Sequence, residues 1–171
     1  MGVQAALGYE FRQPNAFQRA NQKIASTKGG AWFFSKTVQT LDGAVHRLTR
    51  DRTSASEILA GLPVIRVTTT GRRSGQPRLA PLIAVPIGDD LALLGTNFGG
   101  TSTPAWVHNL VAEPRATAAY RDAEIDVVAR PATAEEFEQV FTTGGGLYGG
   151  YEKYRERVTA REIKVFVLEE G

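Results

Sequence analysis

Between Thr68 and Arg78 the chain reads Thr-Thr-Thr-Gly-Arg-Arg-Ser-Gly-Gln-Pro-Arg, with three arginines, two glycines and four hydroxyls in eleven residues. Guanidinium forks suit phosphate and carboxylate, and glycine lets backbone approach a ligand closely. Arg72, Arg73, Ser74 and Arg78 are therefore candidate ligands for an anionic small molecule, with Arg73 and Arg78 ahead of Arg72. A solvated basic hairpin is the competing reading. The stretch is not a P-loop, because the lysine and the following helix are missing, and no G-x-G-x-x-G opens a helix.

A second group is Gly95-Thr96-Asn97-Phe98-Gly99-Gly100, followed by Thr101 to Trp106. Here a strand runs into a glycine-rich loop and then a helix N-terminus, whose free N–H groups favour an anion or an electron-rich ring edge. Asn97 could hydrogen-bond a heterocycle, with Phe98 or Trp106 flanking it; a tight connection beside a core tryptophan is the alternative. Third, Tyr148, Tyr151 and Tyr154 step by three residues behind Gly144-Gly145-Gly146. They could line a pocket mouth and orient a substrate or give it a proton, or they could simply pack in the core. His46 and His108 have no metal-ligand partners at suitable spacing, no nucleophile elbow is present, and Glu135-Glu136 reads as a charged helix start.

The elements that must position these residues follow from periodicity and breakers. A short helix is expected from about Asn15 to Ile24. Phe34, Val38, Leu41, Val45 and Leu48 form one face of a second, from about Ala31 to Thr49. That face could pack on the core, pair two chains, or lie on a membrane surface. Ser54 and Glu57 suggest a capping box, and Gly61 with Pro63 stops that helix. Strands are expected near 64–70, 78–87, 91–96, 115–121, 123–131 and 162–169. In the last, Ile163, Val165 and Val167 share one face and Phe166 and Leu168 the other, so both faces should be covered. Thr103 as N-cap and Pro104 at the first position open a helix through Ala112. Thr133 and Glu136 form a capping box for a helix to about Phe141, after which the glycine triplet should break the chain. Consecutive strands with few helices argue for an antiparallel barrel or sheet.

Composition narrows the classes. The 171 residues suit one domain, and with no cysteine there is no disulfide, thiolate metal site or cysteine nucleophile. This fits a reducing cytoplasm. A net charge of +2 without a continuous basic stripe argues against nucleic acid. No signal peptide and no membrane-spanning apolar run are expected.

Several ordered blocks resemble the deazaflavin (F420)-dependent nitroreductase family: Thr68 to Arg78, Pro81-Leu82, Thr96 to Gly99, Pro104-Ala105-Trp106 with Asn109-Leu110, Glu113-Pro114, the three tyrosines, and Val165 to Leu168. The match runs in register over about residues 60 to 169. The resemblance implies an α+β, mainly β fold: a split β-barrel of the FMN-binding type over 61–171, with residues 1–60 a helical extension packed on it. It implies coenzyme F420, with a phosphate and an acidic oligoglutamate tail, as a hydride donor. On that basis Arg72, Arg73, Ser74 and Arg78 bind the phosphate and tail, and Pro81 and Leu82 lie beside the ring system. Thr96, Asn97, Phe98, Gly99 and Gly100 form the turn around the cofactor, and Trp106, Asn109 and Leu110 back it. Tyr148, Tyr151 and Tyr154 line the substrate pocket. The chain departs from the pattern at Asn97-Phe98, where some relatives have Ser-Lys, and at Gly149, where the best-known members have proline. The implied activity is an F420H2-dependent reductase acting on a small electron-poor acceptor: a quinone, an activated enone or a nitroaromatic. A flavin mononucleotide barrel and a non-catalytic F420 carrier are the competing readings.

Overall fold

In a computed structural model of the protein, the described residues are 2–10 and 64–171. The helices expected at 15–24, 31–49 and after Ser54 lie outside them. Six strands are found: β1 (Val64–Thr70), β2 (Pro77–Ile87), β3 (Asp90–Leu94), β4 (Arg115–Tyr120), β5 (Ala123–Pro131) and β6 (Val165–Glu170). They close into a split β-barrel in the order β1-β2-β3-β6-β5-β4, with every pairing antiparallel. All six lie where alternation placed them, to within three residues at each end.

Both ends of the barrel are stoppered. Helix α1 (Val3–Leu7) covers one end, with Val3, Leu7 and Tyr9 joining the interior cluster of Ile65, Leu91, Tyr120 and Leu168. Its polar groups are tied to the β2–β3 turn: the Gln4 amide donates to the carbonyls of Gly88 (2.8 Å) and Asp90 (2.9 Å). Asp90 accepts the Val3 N–H (3.1 Å), and the Tyr9 hydroxyl donates to the Ala84 carbonyl (2.7 Å). A five-residue helix shows no periodicity, so the sequence gives no sign of this stopper. At the other end sits helix α2 (Ala105–Ala112), which puts Trp106, Val107 and Leu110 into the same cluster. Its first helical residue is Ala105, one later than expected. Pro104, with ψ at 147°, is the N-cap in place of Thr103 and makes no side-chain cap.

Helices α3 (Ala134–Leu147) and α4 (Gly150–Arg157) cover the outer face of the sheet. Val85, Val165 and Val167 point to them, whereas Phe166 and Leu168 face the barrel interior, so β6 is apolar on both faces as expected. The capping box of Thr133 and Glu136 is present. The glycine triplet, however, lies within α3 and does not break it. Gly144 is the reason: a Cβ there would lie 3.0 Å from the Tyr151 ring and 3.3 Å from Val85. Close helix packing outweighs the low helix propensity of glycine.

Arg130 on β5 clamps the start of α3, donating to both carboxylate oxygens of Glu136 (2.7 Å each) and to Glu169 on β6 (2.6 Å). These bonds and the Thr133 N–H hold the Glu136 carboxyl down to about 2 from its ordinary 4.5. A carboxylate whose pKa is lowered on folding stabilises above its ordinary pKa and loses that contribution as pH falls toward the folded value. Arg130→Met should therefore lower Tm by a constant amount above about pH 5, and the difference from wild type should shrink toward pH 2; a pH-independent difference would refute the clamp. Leu7→Ala should cost about 2–5 kcal/mol in denaturant unfolding, and a loss near zero would mean that α1 does not stopper the barrel.

Candidate functional site

The strand registers bring the sequence-marked stretches to one end of the barrel. β1 leaves and β2 enters at Thr70↔Pro77, and β3 leaves and β6 enters at Leu94↔Val165. The arginine turn, the glycine-rich turn, α2 and the connection after α4 therefore share that end.

The arginine turn is folded by its own backbone. Gly71 N–H donates to the Gln76 carbonyl (2.8 Å), while Ser74 and Gly75 N–H donate to the Gly71 carbonyl (3.1 and 2.7 Å). A Cβ on Gly71 would lie 2.7 Å from Ser74 Oγ and 3.0 Å from the Gln76 carbonyl oxygen, so the turn leaves little room for a side chain there. Arg78 Nη2 donates weakly to Ser74 Oγ (3.4 Å), which gathers the charge over the turn. Asn109 on α2 braces the turn from below: its Oδ1 accepts the Arg72 N–H (3.1 Å) and its Nδ2 donates to Thr69 Oγ1 (3.0 Å). Asn109 and Thr69 are both buried, so these bonds satisfy groups that would otherwise be costly to enclose. Arg72, Arg73, Ser74 and Arg78 are exposed, and among the described residues no carboxylate pairs with the three arginines. A donor set of this kind fits a phosphate and a polycarboxylate tail.

The second turn spans Gly95–Gly100. Thr96 is buried, Asn97 to Gly99 form one 3₁₀ turn, and Asn97 donates its side-chain amide to the Ser102 carbonyl and hydroxyl (3.1 Å each). Gly95 N–H donates to the Lys164 carbonyl (2.9 Å), fastening the turn to the start of β6. Trp106 and Leu110 are buried in the barrel core, Trp106 edge-on to Phe166 at 6.1 Å. They stand behind the turns. Pro81 is exposed on β2, and Leu82 is partly buried against the barrel core.

The tyrosines form a compact cluster in which each ring meets a glycine. Gly144 meets Tyr151, Gly150 meets Tyr148 in a contact that would admit no Cβ, and a Cβ on Gly99 of the second turn would lie 3.1 Å from the Tyr154 ring. The Tyr148 and Tyr154 hydroxyls are hydrogen-bonded (2.9 Å), and the rings of Tyr148 and Tyr151 pack edge to face at 5.6 Å. All three rings are buried, as core packing requires, and Tyr154 touches the second turn. Burial pushes the Tyr148 and Tyr151 phenols well above their ordinary 10.0 and raises that of Tyr154 against the opposing pull of Tyr148 and Arg157, so all three are neutral donors at physiological pH. α4 is held on α3 by Arg155, which grips both oxygens of Glu138 (2.8 and 2.7 Å) and lies over Phe137 and Phe141. The sequence reading missed Thr69 and Arg161; the latter donates to three backbone carbonyls of the second turn and carries no sequence signature.

The chain is similar to proteins of known family. The family described as F420H(2)-dependent quinone reductase matches residues 42–170. The F420H(2)-dependent quinone reductase of Mycobacterium tuberculosis strain H37Rv is 28% identical over 133 residues, covering 75% of this chain and 87% of that protein. A solved F420-H2 dependent reductase, FDR-A, superposes with a TM-score of 0.57 at 30% identity, covering 63% of this chain and 94% of its own. A structure described as a domain-swapped dimer gives a TM-score of 0.60 at 26% identity, covering 78% of this chain and all of its own. The broader nitroreductase resemblance thereby narrows, and the chain belongs to the F420H2-dependent quinone reductase family, oxidoreductases that take their electrons from reduced coenzyme F420.

Proposed function

We propose that this protein reduces a quinone with reduced coenzyme F420, and that the residues gathered at the α2 end of the barrel hold the cofactor and the acceptor. The observation that carries the assignment is the arginine turn: three guanidinium groups without carboxylate partners among the described residues, on a backbone braced by the buried Asn109. When bound, the reduced deazaflavin supplies a hydride. Arg73 and Arg78, with Arg72 and Ser74, grip the phosphate and acidic tail. Thr96 to Gly100 border the ring system, with Pro81 and Leu82 beside it. Asn109, Trp106 and Leu110 act from behind by fixing the two turns.

Tyr148, Tyr151 and Tyr154 orient the acceptor. Within the Tyr148–Tyr154 pair only one hydroxyl can donate to the other, so the accepting hydroxyl keeps its own proton for a quinone oxygen. One hydride and one proton convert a quinone to its hydroquinone, and the buried apolar cluster excludes water from the transfer. Pairing of two chains is part of the proposal, supported by the relative described as a domain-swapped dimer. No helix among the described residues is long and apolar enough to cross a membrane. Contact with a membrane surface would rest on the helix expected at 31–49, outside those residues.

Titration with F420, followed by oxidation of F420H2 in the presence of menadione, tests the reading directly. Binding with acceptor-dependent oxidation is expected; binding without turnover would favour a carrier, and no binding would overturn the assignment. Arg78→Ala should weaken F420 binding about tenfold while changing kcat at saturating cofactor about twofold at most, and unchanged affinity would remove the turn from the site. Tyr154→Phe should lower kcat with menadione about tenfold and leave F420 affinity near wild type; a loss confined to cofactor binding would take the tyrosines off the acceptor side. Because the phenols are raised above 10.0, they keep their protons, and any stability they contribute, as pH rises to that value. The kcat–pH profile should accordingly show no tyrosine ionisation below pH 10, and a falling limb near pH 8 that disappears in Tyr154→Phe would contradict this.

A further inference from the structure

Arg161, in the connection between α4 and β6, takes no part in the roles assigned so far. Its guanidinium lies against the Gly95–Gly100 turn. Nη1 donates to the Gly95 carbonyl (2.9 Å) and to that of Glu162 (3.3 Å), while Nη2 donates to the Thr96 (3.0 Å) and Gly100 (3.3 Å) carbonyls. None of these acceptors is a carboxylate. Nε is buried and finds no acceptor among the described residues. Burial lowers the side chain's pKa from its ordinary value. Enclosing part of a charged group for the sake of main-chain carbonyls is an expensive way to tie a surface loop, so the shape it enforces has to matter.

Peptide geometry says what that shape is. In a planar trans peptide the N–H points opposite to the carbonyl, and among the described residues no peptide is cis. Drawing the Thr96 and Gly100 carbonyls toward Arg161 turns the Asn97 and Thr101 N–H groups to the opposite side of the turn. Neither of these N–H groups has a protein acceptor among the described residues. Asn97 sits at φ 49° and Gly99 at φ 77°, in the left-handed region; the turn's own backbone adds Gly99 N–H to the Thr96 carbonyl (2.9 Å) and Gly100 N–H to the Asn97 carbonyl (2.8 Å), so Arg161 acts on a turn already closed on itself.

We propose that Arg161 is a positioning residue for the cofactor: by holding the Gly95, Thr96 and Gly100 carbonyls, it presents the Asn97 and Thr101 N–H groups to an anionic or electron-rich edge of F420. The inference rests on the reading of this turn as a cofactor contact. Two nitrogens of one guanidinium fork reach all three carbonyls, which a single ammonium nitrogen can match only in part.

Arg161→Met keeps the stem and removes the donors, and Arg161→Lys keeps the charge without the fork. Both are compared with wild type by amide hydrogen exchange over residues 95–103, by F420 titration, and by kcat and KM for F420H2 with menadione. In Arg161→Met, exchange over 95–103 should accelerate while β1 and β2 remain protected. F420 Kd and the KM for F420H2 should rise about tenfold, with kcat at saturation changed about twofold at most. Arg161→Lys should recover part of the affinity. Unchanged exchange with unchanged affinity would overturn the proposal, as would a fall in kcat with Kd and KM intact. Accelerated exchange with unchanged affinity would overturn the reading of the turn as a cofactor contact, and the proposal with it. Should Arg161→Met not fold, Arg161→Lys carries the same test, and wild-type behaviour in that variant would refute the role.

Discussion

The pairing of β3 with β6 is the constraint on which the rest of the molecule depends. A barrel in the order β1-β2-β3-β6-β5-β4 closes only if the last strand inserts between the third and the fifth. That insertion sets Leu94 opposite Val165 and so makes the residues after β3 meet those before β6. The second turn, Arg161 and the end of α4 have to share one small volume because of it. The same end receives the β1–β2 turn, since β2 runs antiparallel to both of its neighbours. Parts more than sixty residues apart in the chain become neighbours without any binding energy of their own being needed.

Within that volume, polar and apolar devices divide the task. The arginine turn would repel itself and fray if its backbone were free; one buried amide, Asn109, fixes it to a helix that is itself anchored in the barrel core. The tyrosine cluster is fixed differently. Three rings lie in hollows left by three glycines, and rigid aromatic surfaces with two rotatable bonds lose little entropy when placed this way. The clamps that hold α3 and α4, Arg130 with Glu136 and Glu169 and Arg155 with Glu138, sit partly or largely in solvent. They fix orientation more than they add stability.

The strands were legible because each has a face in the barrel interior, and alternation records that directly: Ile65 and Val67 on β1, and both faces of β6. The capping box at Thr133 was legible because it is a local exchange of hydrogen bonds. What escaped were features whose partners are remote or are main chain. Glycine within a sequence window reads as a breaker, and only the Tyr151 ring packed on Gly144 explains why α3 continues. Arg161 bonds carbonyls, which every residue possesses, so no motif marks it. α1 is too short for a period, and its value lies in filling a hole formed by strands far along the chain. For the candidate site, the basic turn and the glycine-rich turn could be read from composition. That Asn109 braces the first turn from below is visible only once α2 is packed beneath β1.

The helical hairpin that carries the tyrosines leaves and rejoins the barrel at adjacent strands. Ala132 N–H donates to the Val165 carbonyl (2.9 Å), and Pro131 is paired with Phe166. In topological terms α3 and α4 are an insertion in a β-hairpin, and the barrel's strand order is complete without them. The closure entropy of an excursion whose ends already meet changes only slowly with its length. Its sequence and size can therefore diverge without disturbing the arginine turn, α2 or the order of the strands. A fold built this way separates what must stay constant from what can be exchanged: the arginine turn and α2 are fixed by the barrel, while the hairpin is free to vary except where Tyr154 and Arg161 meet the second turn.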